Sequence, residues 1–244
     1  MPTANELFTA GRLEAAIETL GVELRSNPAD AQRRAFLFEL LAFAGNYERA
    51  QKQLDVLARG GPEAELGAQL YRSALEAERV REHMFETASY PPAPPAPVAA
   101  TLNGREVRSV TDADPRIGAR LELFAGGRYL WVPLAHVASV AMQAPARLRD
   151  LRWAPALVRA GPEFRGVELG EVLIPAVTPA AWRHADPDVR LGRATEWEDA
   201  GDAGYIPVGQ KMLLVDGEPF PLLEVRELRV AAAAPAPAAT SLPA

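Results

Sequence analysis

The sequence has no cysteine, which excludes disulfide bonds and thiolate metal sites. Its three histidines, His83, His136 and His184, lie far apart in the chain, and none has the spacing of a zinc motif. No apolar run reaches the roughly 18 residues that a membrane-spanning helix needs. The first residues lack the basic start and apolar core of a signal peptide, so we expect a cytoplasmic protein.

Charge of either sign is modest. The chain has 244 residues, 48% of them hydrophobic and 24% charged, with a net charge of −6, which is ordinary for one large or two modest globular domains. A local basic excess occurs between Arg105 and Arg165, where ten arginines face six acids. The arginines are scattered and do not alternate with aromatics. A weak nucleic-acid binder is therefore the least favoured hypothesis, and we predict no nucleic-acid partner.

Two proline-rich segments indicate where folded regions end. Residues 89–100 contain five prolines in twelve positions, and this composition predicts an extended linker. Residues 231–244 are rich in alanine and proline, and this composition predicts a disordered tail. The sequence therefore predicts two domains, at 1–88 and 101–230.

The first predicted domain contains an internal repeat. Residues 8–20 align with residues 42–54 at an offset of 34. The identical pairs are Ala10/Ala44, Gly11/Gly45, Glu14/Glu48, Ala16/Ala50 and Leu20/Leu54. A period of this length resembles the tetratricopeptide repeat, with glycine in the turn between paired helices and alanine where they approach closely. A generic helical hairpin bundle is the alternative.

Capping signals place the starts of these helices. The predicted caps and first positions are Thr3 with Glu6, Asp30, Asn46 and Pro62. A long amphipathic helix over 63–86 follows and is expected to close the repeat array. The residues predicted to face inward from it are Leu66, Leu70, Leu75 and Val80.

The second predicted domain consists mainly of strands. Apolar and polar residues alternate from Ile117 to Leu123, and a double glycine then turns the chain into a second strand. Asp216 and Gly217 signal another hairpin, whose prolines favour an edge position. These patterns predict a mainly antiparallel bent sheet or barrel-like domain. The predicted fold class is α+β, with tetratricopeptide-like helical repeats first.

Asp112 and Asp114 are the most conspicuous candidate site. The proline and glycine that follow them favour a turn, in which aspartates bind backbone amides and Arg116 neutralises a carboxylate. Two carboxylates are too few for calcium. We therefore predict no catalytic, cofactor-binding or metal-binding residues. The alternative is a small hydrolase or ligand-binding enzyme in which these aspartates converge with His136 or His184.

A series of motifs resembles one protein family. In chain order the motifs are DADPRIG, GRYLWVP, LRDLRW, IPAV, LGRATEW, GQK and LLEVRELR. Together they resemble the ImpE (TagJ) family of type VI secretion accessory proteins, from the helical repeats to about Arg229. The resemblance implies a cytoplasmic, non-enzymatic adaptor without cofactors. It also implies binding to an N-terminal helix of the small contractile-sheath subunit TssB, and modulation of sheath assembly or of disassembly driven by the unfoldase ClpV.

Helical repeats form concave surfaces that can bind an amphipathic helix. The residues predicted for such a groove are Leu37, Leu41, Tyr47 and Tyr71. The residues predicted for a polar rim on the second domain are Asp112, Asp114, Arg116 and Arg193. The sequence leaves open which domain forms the binding surface.

Overall fold

The computed structural model describes residues 2–91, 95–166 and 168–231. The helices come first and pack on a mainly antiparallel sheet, as the α+β prediction requires. The helices are α1 (Ala4–Thr9), α2 (Leu13–Ser26), α3 (Ala31–Phe43), α4 (Tyr47–Leu57), α5 (Pro62–Glu86) and the short α6 (Pro187–Arg190). No helix in the described ranges is long and apolar enough to span a bilayer.

The helices begin where the capping signals place them. Thr3 and Glu6 form a reciprocal capping box at α1. The Asp30 and Asn46 side chains accept hydrogen bonds from backbone amides in the first turns of α3 and α4. Pro62 is the first residue of α5, where its missing N–H has no helical partner to lose.

The repeated residues occupy equivalent places in the first two helical pairs. Gly11 and Gly45 follow α1 and α3 with φ of +73° and +66°, a conformation that glycine adopts without a Cβ clash. Ala16 and Ala50 are completely buried on α2 and α4. These positions match the predicted turn and close helix contact. The assignment to the tetratricopeptide class stays a prediction.

The buried face predicted for α5 is wrong. Leu75 is buried, but Leu66, Leu70 and Val80 are 68%, 50% and 50% exposed. The helix instead buries Ala68, Ala74, Leu75, Ala77, Glu78 and Arg81. The prediction assumed that a helix buries its largest apolar residues. Here the sheet offers partners for charged groups, so α5 turns two charged side chains inward.

The strands follow the helices in the chain. They are β1 (Val98–Leu102), β2 (Arg105–Asp112), β3 (Arg120–Ala125), β4 (Arg128–Pro133), β5 (Val137–Met142), β6 (Trp153–Ala160), β7 (Gly170–Pro175), β8 (Thr195–Asp199), β9 (Tyr205–Gly209), β10 (Met212–Val215), β11 (Glu218–Pro221) and β12 (Glu227–Val230). Ten of them form one antiparallel sheet in the order β11-β10-β2-β1-β12-β5-β6-β7-β3-β4, and β8 pairs with β9. The large sheet curls into a half-barrel, close to the predicted bent sheet.

Both predicted hairpins form. The β3–β4 turn has Gly126 and Gly127 at φ of +55° and +75°, and the β10–β11 turn has Asp216 and Gly217 at +54° and +90°. Positive φ at both central residues matches the twist of the flanking strands. Strand β11, which carries the two prolines, lies at the edge of the sheet as predicted.

The predicted linker ends earlier than the sequence indicated. Residues 98–100, assigned to the linker, belong to β1, where Ala100 pairs with Val107 on one side and Val230 on the other. The strand completes the hydrogen bonding of both neighbours, and this fixes its conformation. Linker residues 92–94 and tail residues 232–244 lie outside the described residues.

The two faces of the sheet contact different parts of the protein. On β3, Leu121 and Leu123 point into the curl, where they join a hydrophobic cluster formed by the sheet itself. Phe124, on the opposite face, packs with Trp153 and Leu173 against the helices in a second cluster. The second cluster therefore contains residues of both the helices and the sheet, whereas the first is formed by the sheet and its loops.

The turn glycines of the repeat also receive side chains from the C-terminal part of the chain. A Cβ built on Gly11 would lie 2.8 Å from Cβ of Pro187, and one on Gly45 would lie 2.6 Å from Cδ2 of Trp182. Both glycines thus serve the turn and the contact between the helical and C-terminal parts. The repeat pattern predicted only the first role.

We expect Gly45→Ala to lower the free energy of unfolding by more than the left-handed backbone alone would. That backbone costs about 1–2 kcal/mol for a residue with a Cβ, and displacing the Trp182 ring adds roughly 1–3 kcal/mol. Urea denaturation followed by tryptophan fluorescence measures the change.

Gly104→Ala is the matched control. Gly104 also has positive φ, +83°, but a Cβ there would meet nothing within 4 Å. Gly104→Ala should therefore lower the free energy of unfolding only by the backbone contribution. In a protein that already carries Trp182→Ala, Gly45→Ala should cost less than it does in the wild type. Equal losses for the two glycine variants would contradict a packing role for Gly45.

Candidate functional site

A buried ion pair joins the helical layer to the sheet. Arg81 of α5 and Glu122 of β3 are almost completely buried. The guanidinium donates from Nε to Oε1 of Glu122 at 2.8 Å and from Nη2 to Oε2 at 3.1 Å. Nη1 donates to the backbone carbonyl of Val177 at 2.9 Å. Such a bidentate contact fixes the orientation of both side chains.

Lys211 extends this network toward the predicted aspartate site. Its Nζ lies 2.6 Å from Oδ2 of Asp112 and also contacts Glu122. Tyr129 donates its hydroxyl proton to Glu122 as well, so this carboxylate accepts from three side chains. Asp112 is therefore part of a buried network rather than an exposed acidic site.

A second branch of the network runs along the helical side. Glu78 accepts from the indole Nε1 of Trp153 at 2.9 Å and lies 3.4 Å from both Arg81 and Arg152. Arg152 in turn donates to the hydroxyl of Tyr47 at 2.8 Å. Within this network, the cations Arg81, Arg152 and Lys211 thus balance the acids Glu78, Asp112 and Glu122.

Burial and charge act in opposite directions on Glu122. Burial alone raises the pKa of its carboxyl, but the charges and hydrogen bonds of Arg81 and Lys211 outweigh that effect and hold the pKa well below its ordinary value. The charges of Asp112 and Glu122 likewise outweigh burial at Lys211 and raise its pKa. Both groups are therefore ionised at neutral pH.

Asp112 behaves differently from Glu122. Burial raises its pKa to about 6; the Lys211 charge opposes that rise, and the nearby Glu122 charge reinforces it. Glu122 is paired with both Arg81 and Lys211, whereas Asp112 has Lys211 as its cation. Of these two carboxyls, Asp112 thus gains a proton before Glu122 as pH falls.

Asp112 and Asp114 form the turn that the sequence predicted. Oδ1 of Asp112 accepts from the Asp114 amide at 2.9 Å, and Oδ1 of Asp114 accepts from the Arg116 amide at 3.0 Å. Arg116 pairs with Asp114 through its guanidinium and stacks on Phe85. Asp112 and Asp114 are only 3% and 2% exposed. They therefore do not form the predicted polar rim.

Arg193, the remaining predicted rim residue, contacts the helical layer instead. It donates to the backbone carbonyls of Phe8 and Thr9 at 3.0 and 3.3 Å, and its guanidinium stacks on the Phe8 ring. Both carbonyls lie near the end of α1, and that of Phe8 also accepts from the Gly11 amide. Arg193 therefore joins the two parts of the chain and does not lie with the aspartates.

The arrangement that the enzyme hypothesis required does not form in the described part of the chain. His184 accepts from the Asp186 amide through Nδ1, while Nε2 lies 3.4 Å from Glu196 and 3.6 Å from Glu198. Among the described residues, neither His184 nor His136 forms a hydrogen bond or an ion pair with either aspartate. Within those same residues, no group of three or more metal-ligating side chains is placed to hold an ion.

The predicted helical groove residues are mostly internal. Leu37, Leu41 and Tyr47 are buried in the core shared by the helices and the sheet. Close packing of α3 and α4 on the rest of the molecule leaves them little free surface, although Tyr47 borders a small open concavity beside Trp182. Tyr71 is half-buried, packs against Phe38 and Trp153, and lines a larger, mainly apolar concavity.

That concavity is an apolar groove of 520 Å³ between α5 and the sheet, which we call the α5–sheet groove. One wall is α5, one end is the β3–β4 turn, and the floor is formed by β5, β6 and β7. Its lining residues are Leu70, Tyr71, Ser73, Ala74, Phe124, Gly126, Gly127, Ala141, Gln143, Pro155, Ala156, Leu157, Glu171, Val172 and Leu173. A large apolar concavity is a common place for a ligand or partner.

Sequence reasoning missed the centre of the buried network. Glu122 occupies a polar position of an alternating strand, a pattern that also fits a solvated face. Arg81 lies one helical turn after Glu78, and it projects from the helix in nearly the same direction as Leu70, about three turns earlier. The available signal was a stripe of charged residues on a helix that also carries leucines. Such a stripe does not tell which side of the helix is buried unless the partner strand is known.

Comparison with known proteins places the chain in context. The family model described as "ImpE protein" matches residues 104–229. The type VI secretion system accessory component TagJ of Pseudomonas aeruginosa is 34% identical over 260 aligned positions, which cover 92% of this chain and 90% of that protein. The crystal structure of a Vibrio parahaemolyticus protein shares the fold, with a TM-score of 0.80, 23% identity and coverage of 93% and 97% of the two chains.

We expect Glu122→Gln to destabilise the protein strongly, because it leaves Arg81 and Lys211 buried without their shared anion. Removing one partner of a buried pair typically costs about 3–5 kcal/mol. Glu76→Gln, which removes an exposed partner of Arg79 on α5, should change stability by less than about 1 kcal/mol. Chemical denaturation of both variants tests this, and a loss for Glu122→Gln as small as that for Glu76→Gln would contradict it.

We also expect Asp112 to make the protein more stable as pH falls from 7 to 5. Its pKa of about 6 in the folded chain exceeds the ordinary aspartate value of 3.8, so the folded state binds the proton more tightly. The gain over this interval is about 1 kcal/mol. Asp112→Asn should remove it, as measured by denaturation at each pH. An unchanged pH dependence in the variant would contradict the assignment.

Proposed function

The chain belongs to the ImpE family, and from this membership we propose that it is an accessory component of a bacterial type VI secretion system. The observation that carries the proposal is the 34% identity to the Pseudomonas aeruginosa accessory component over nearly the whole of both proteins. The match includes the helical layer as well as the sheet, so it extends beyond the region that the family model covers.

The role we propose is that of a non-enzymatic, cytoplasmic adaptor. The two aspartate carboxylates of the predicted site bind backbone amides of the turn and pair with Lys211 and Arg116. These structural contacts account for the carboxylates without a catalytic role. The α5–sheet groove, a large and mainly apolar concavity, suits recognition of another polypeptide. Surface recognition by a rigid scaffold is the function that these features support best.

We propose that the partner is the small contractile-sheath subunit TssB, bound through an N-terminal helix. Binding of this kind would let the protein modulate sheath assembly or the disassembly driven by ClpV. The unfoldase would then be affected indirectly, through the state of the sheath subunit.

The proposal predicts direct binding between this protein and the N-terminal helix of the TssB encoded in the same genome. Isothermal titration calorimetry with a synthetic peptide of that helix should give a saturable isotherm with a Kd of roughly tens of micromolar or tighter. The apolar contact should also give a negative heat-capacity change of binding.

A peptide of the same composition in scrambled order, which places its apolar residues on all sides of the helix, is the control. It should bind at least about tenfold more weakly, a difference of about 1.4 kcal/mol. Absence of binding by the native peptide to folded protein, together with unchanged sheath dynamics in a deletion strain, would overturn the proposal.

A further inference from the structure

We infer that a cleft between the end of α5 and the β8–β9 hairpin binds a basic side chain, arginine or lysine, that a partner polypeptide presents. This cleft has a volume of 520 Å³, and we call it the hairpin cleft. Its walls include Glu82, Phe85 and Glu86 of α5 and Glu198, Ile206 and Val208 of the hairpin. Among the described residues, none lines both this cleft and the α5–sheet groove, so the inference goes beyond the proposed function.

The α5 wall combines an apolar ring with a carboxylate that has spare acceptor capacity. Glu82 and Phe85 lie one turn apart on the same face of the helix. Glu82 accepts from the hydroxyl of Tyr47 at 2.5 Å and from Nε1 of Trp182 at 3.0 Å, both through Oε1. Both donors are neutral, and the buried Arg152 acts on Glu82 only from beyond ion-pair distance. The negative end of the α5 dipole adds to the preference for a cation here.

The hairpin wall also combines carboxylates with apolar side chains. Glu196 pairs with Val208, and Glu198 pairs with Ile206, across the two strands. Paired residues project from the same face of a hairpin, so these four side chains share the face that lies toward the cleft. The two glutamates are exposed, and Ile206 and Val208 are half-buried. A basic side chain fits such a surface, because its aliphatic stem covers apolar atoms while its charged end reaches a carboxylate.

His184 does not neutralise the carboxylates of β8. Its Nδ1 accepts from the Asp186 amide at 3.1 Å, so the proton of the ring lies on Nε2 and the ring is neutral. Nε2 lies 3.4 Å from Glu196 and 3.6 Å from Glu198. In the part of the chain that the structure describes, neither glutamate pairs with a lysine or an arginine. With both ring nitrogens engaged, His184 has no lone pair for a metal ion, so an organic cation fits this place better.

The arginines that line the cleft are already paired. Arg183, at the rim, forms an ion pair with Glu86, and its guanidinium lies 4.7 Å from the centre of the Trp182 ring. Arg116 forms its ion pair with Asp114. The carboxylates of Glu82, Glu196 and Glu198 therefore remain for a cation from outside, and Arg183 shows that an arginine side chain is accommodated beside them.

The open rim favours a side chain of a polypeptide over a small molecule. Arg183 and Glu86, which form part of the rim, are 51% and 45% exposed. Small-molecule sites enclose about 70–90% of the surface of their ligand, and a cleft with so exposed a rim encloses less. A polypeptide can keep its backbone outside, insert one basic side chain and gain further contacts around the rim. Complementary charge then steers the encounter and selects the partner.

Isothermal titration calorimetry at low salt tests this inference. The probe is a capped peptide that carries two arginines among alanines, and the control peptide has glutamine in their place. The arginine peptide should bind with a Kd on the order of 100 μM, and more weakly as salt is added. The glutamine peptide should give no saturable isotherm. The inference fails if the arginine peptide shows no saturable binding up to about 2 mM.

Two variants locate the bound peptide. Glu198→Gln should weaken binding about fivefold, because it removes a carboxylate and keeps the shape of the side chain. Ile206→Lys should weaken binding about tenfold or more, because it places an ammonium group opposite Glu198, where it competes with the peptide. Circular dichroism and thermal melts establish that each variant is folded.

Tyr205→Lys and Glu63→Gln are the matched controls. Tyr205 is adjacent to Ile206 in β9 but lies on the opposite face of the hairpin and is 67% exposed. Glu63 is exposed in the first turn of α5, about five turns before Glu82. Each control changes the net charge as its counterpart does and should leave the Kd within about twofold of wild type. Equal weakening by Ile206→Lys and Tyr205→Lys would overturn the location, because it would show a general effect of charge.

Spermidine distinguishes the two sources of an aliphatic cation. It should bind more weakly than the arginine peptide. Binding as tight as that of the peptide, with displacement of the peptide, would make a small polyamine the occupant and overturn the assignment to a polypeptide. Calorimetry with the TssB helix peptide is independent of these results. Failure of that peptide to bind would refute the proposed function and leave the present inference standing.

Discussion

The arrangement of the molecule depends on the buried contact between Arg81 of α5 and Glu122 of β3. Two charges removed from water are tolerated only where each is fully paired, so the helix must present Arg81 toward the one strand that carries this carboxylate. Lys211 then balances Glu122 from the other side. The contact therefore fixes how α5 is rotated about its own axis as well as where it lies on the sheet.

Position along α5 determines which of its residues remain available. Leu70 projects in nearly the same direction as Arg81, but it lies over an open groove, and Leu66 and Leu70 stay exposed although they are among the most apolar residues of the helix. Exposure of such residues has no benefit for folding and lowers solubility. The ion pair that holds the layers together therefore lies at one end of α5, and the exposed leucines lie nearer the other end.

The contacts between the helical and C-terminal parts use residues that look independent in the sequence. The turn glycine Gly45 receives the Trp182 ring, while Arg193 satisfies carbonyls near the end of α1. The repeat pattern predicts the turn at Gly45 correctly, since a positive φ is a local property. It does not predict the docked ring, because Trp182 is distant in sequence and no local pattern connects the two positions.

The sequence by itself determined the elements: the capped helices, the turn at Asp112 and Asp114, both hairpins and, through its motifs, the family. These features depend on residues within a few positions of one another, where backbone sterics and local hydrogen bonds act. Only the tertiary structure decided that Glu122 faces a helix instead of water, and that Leu37 and Leu41 are internal while Leu70 is open. A residue's burial depends on which surface lies opposite it, and that surface comes from a remote part of the chain.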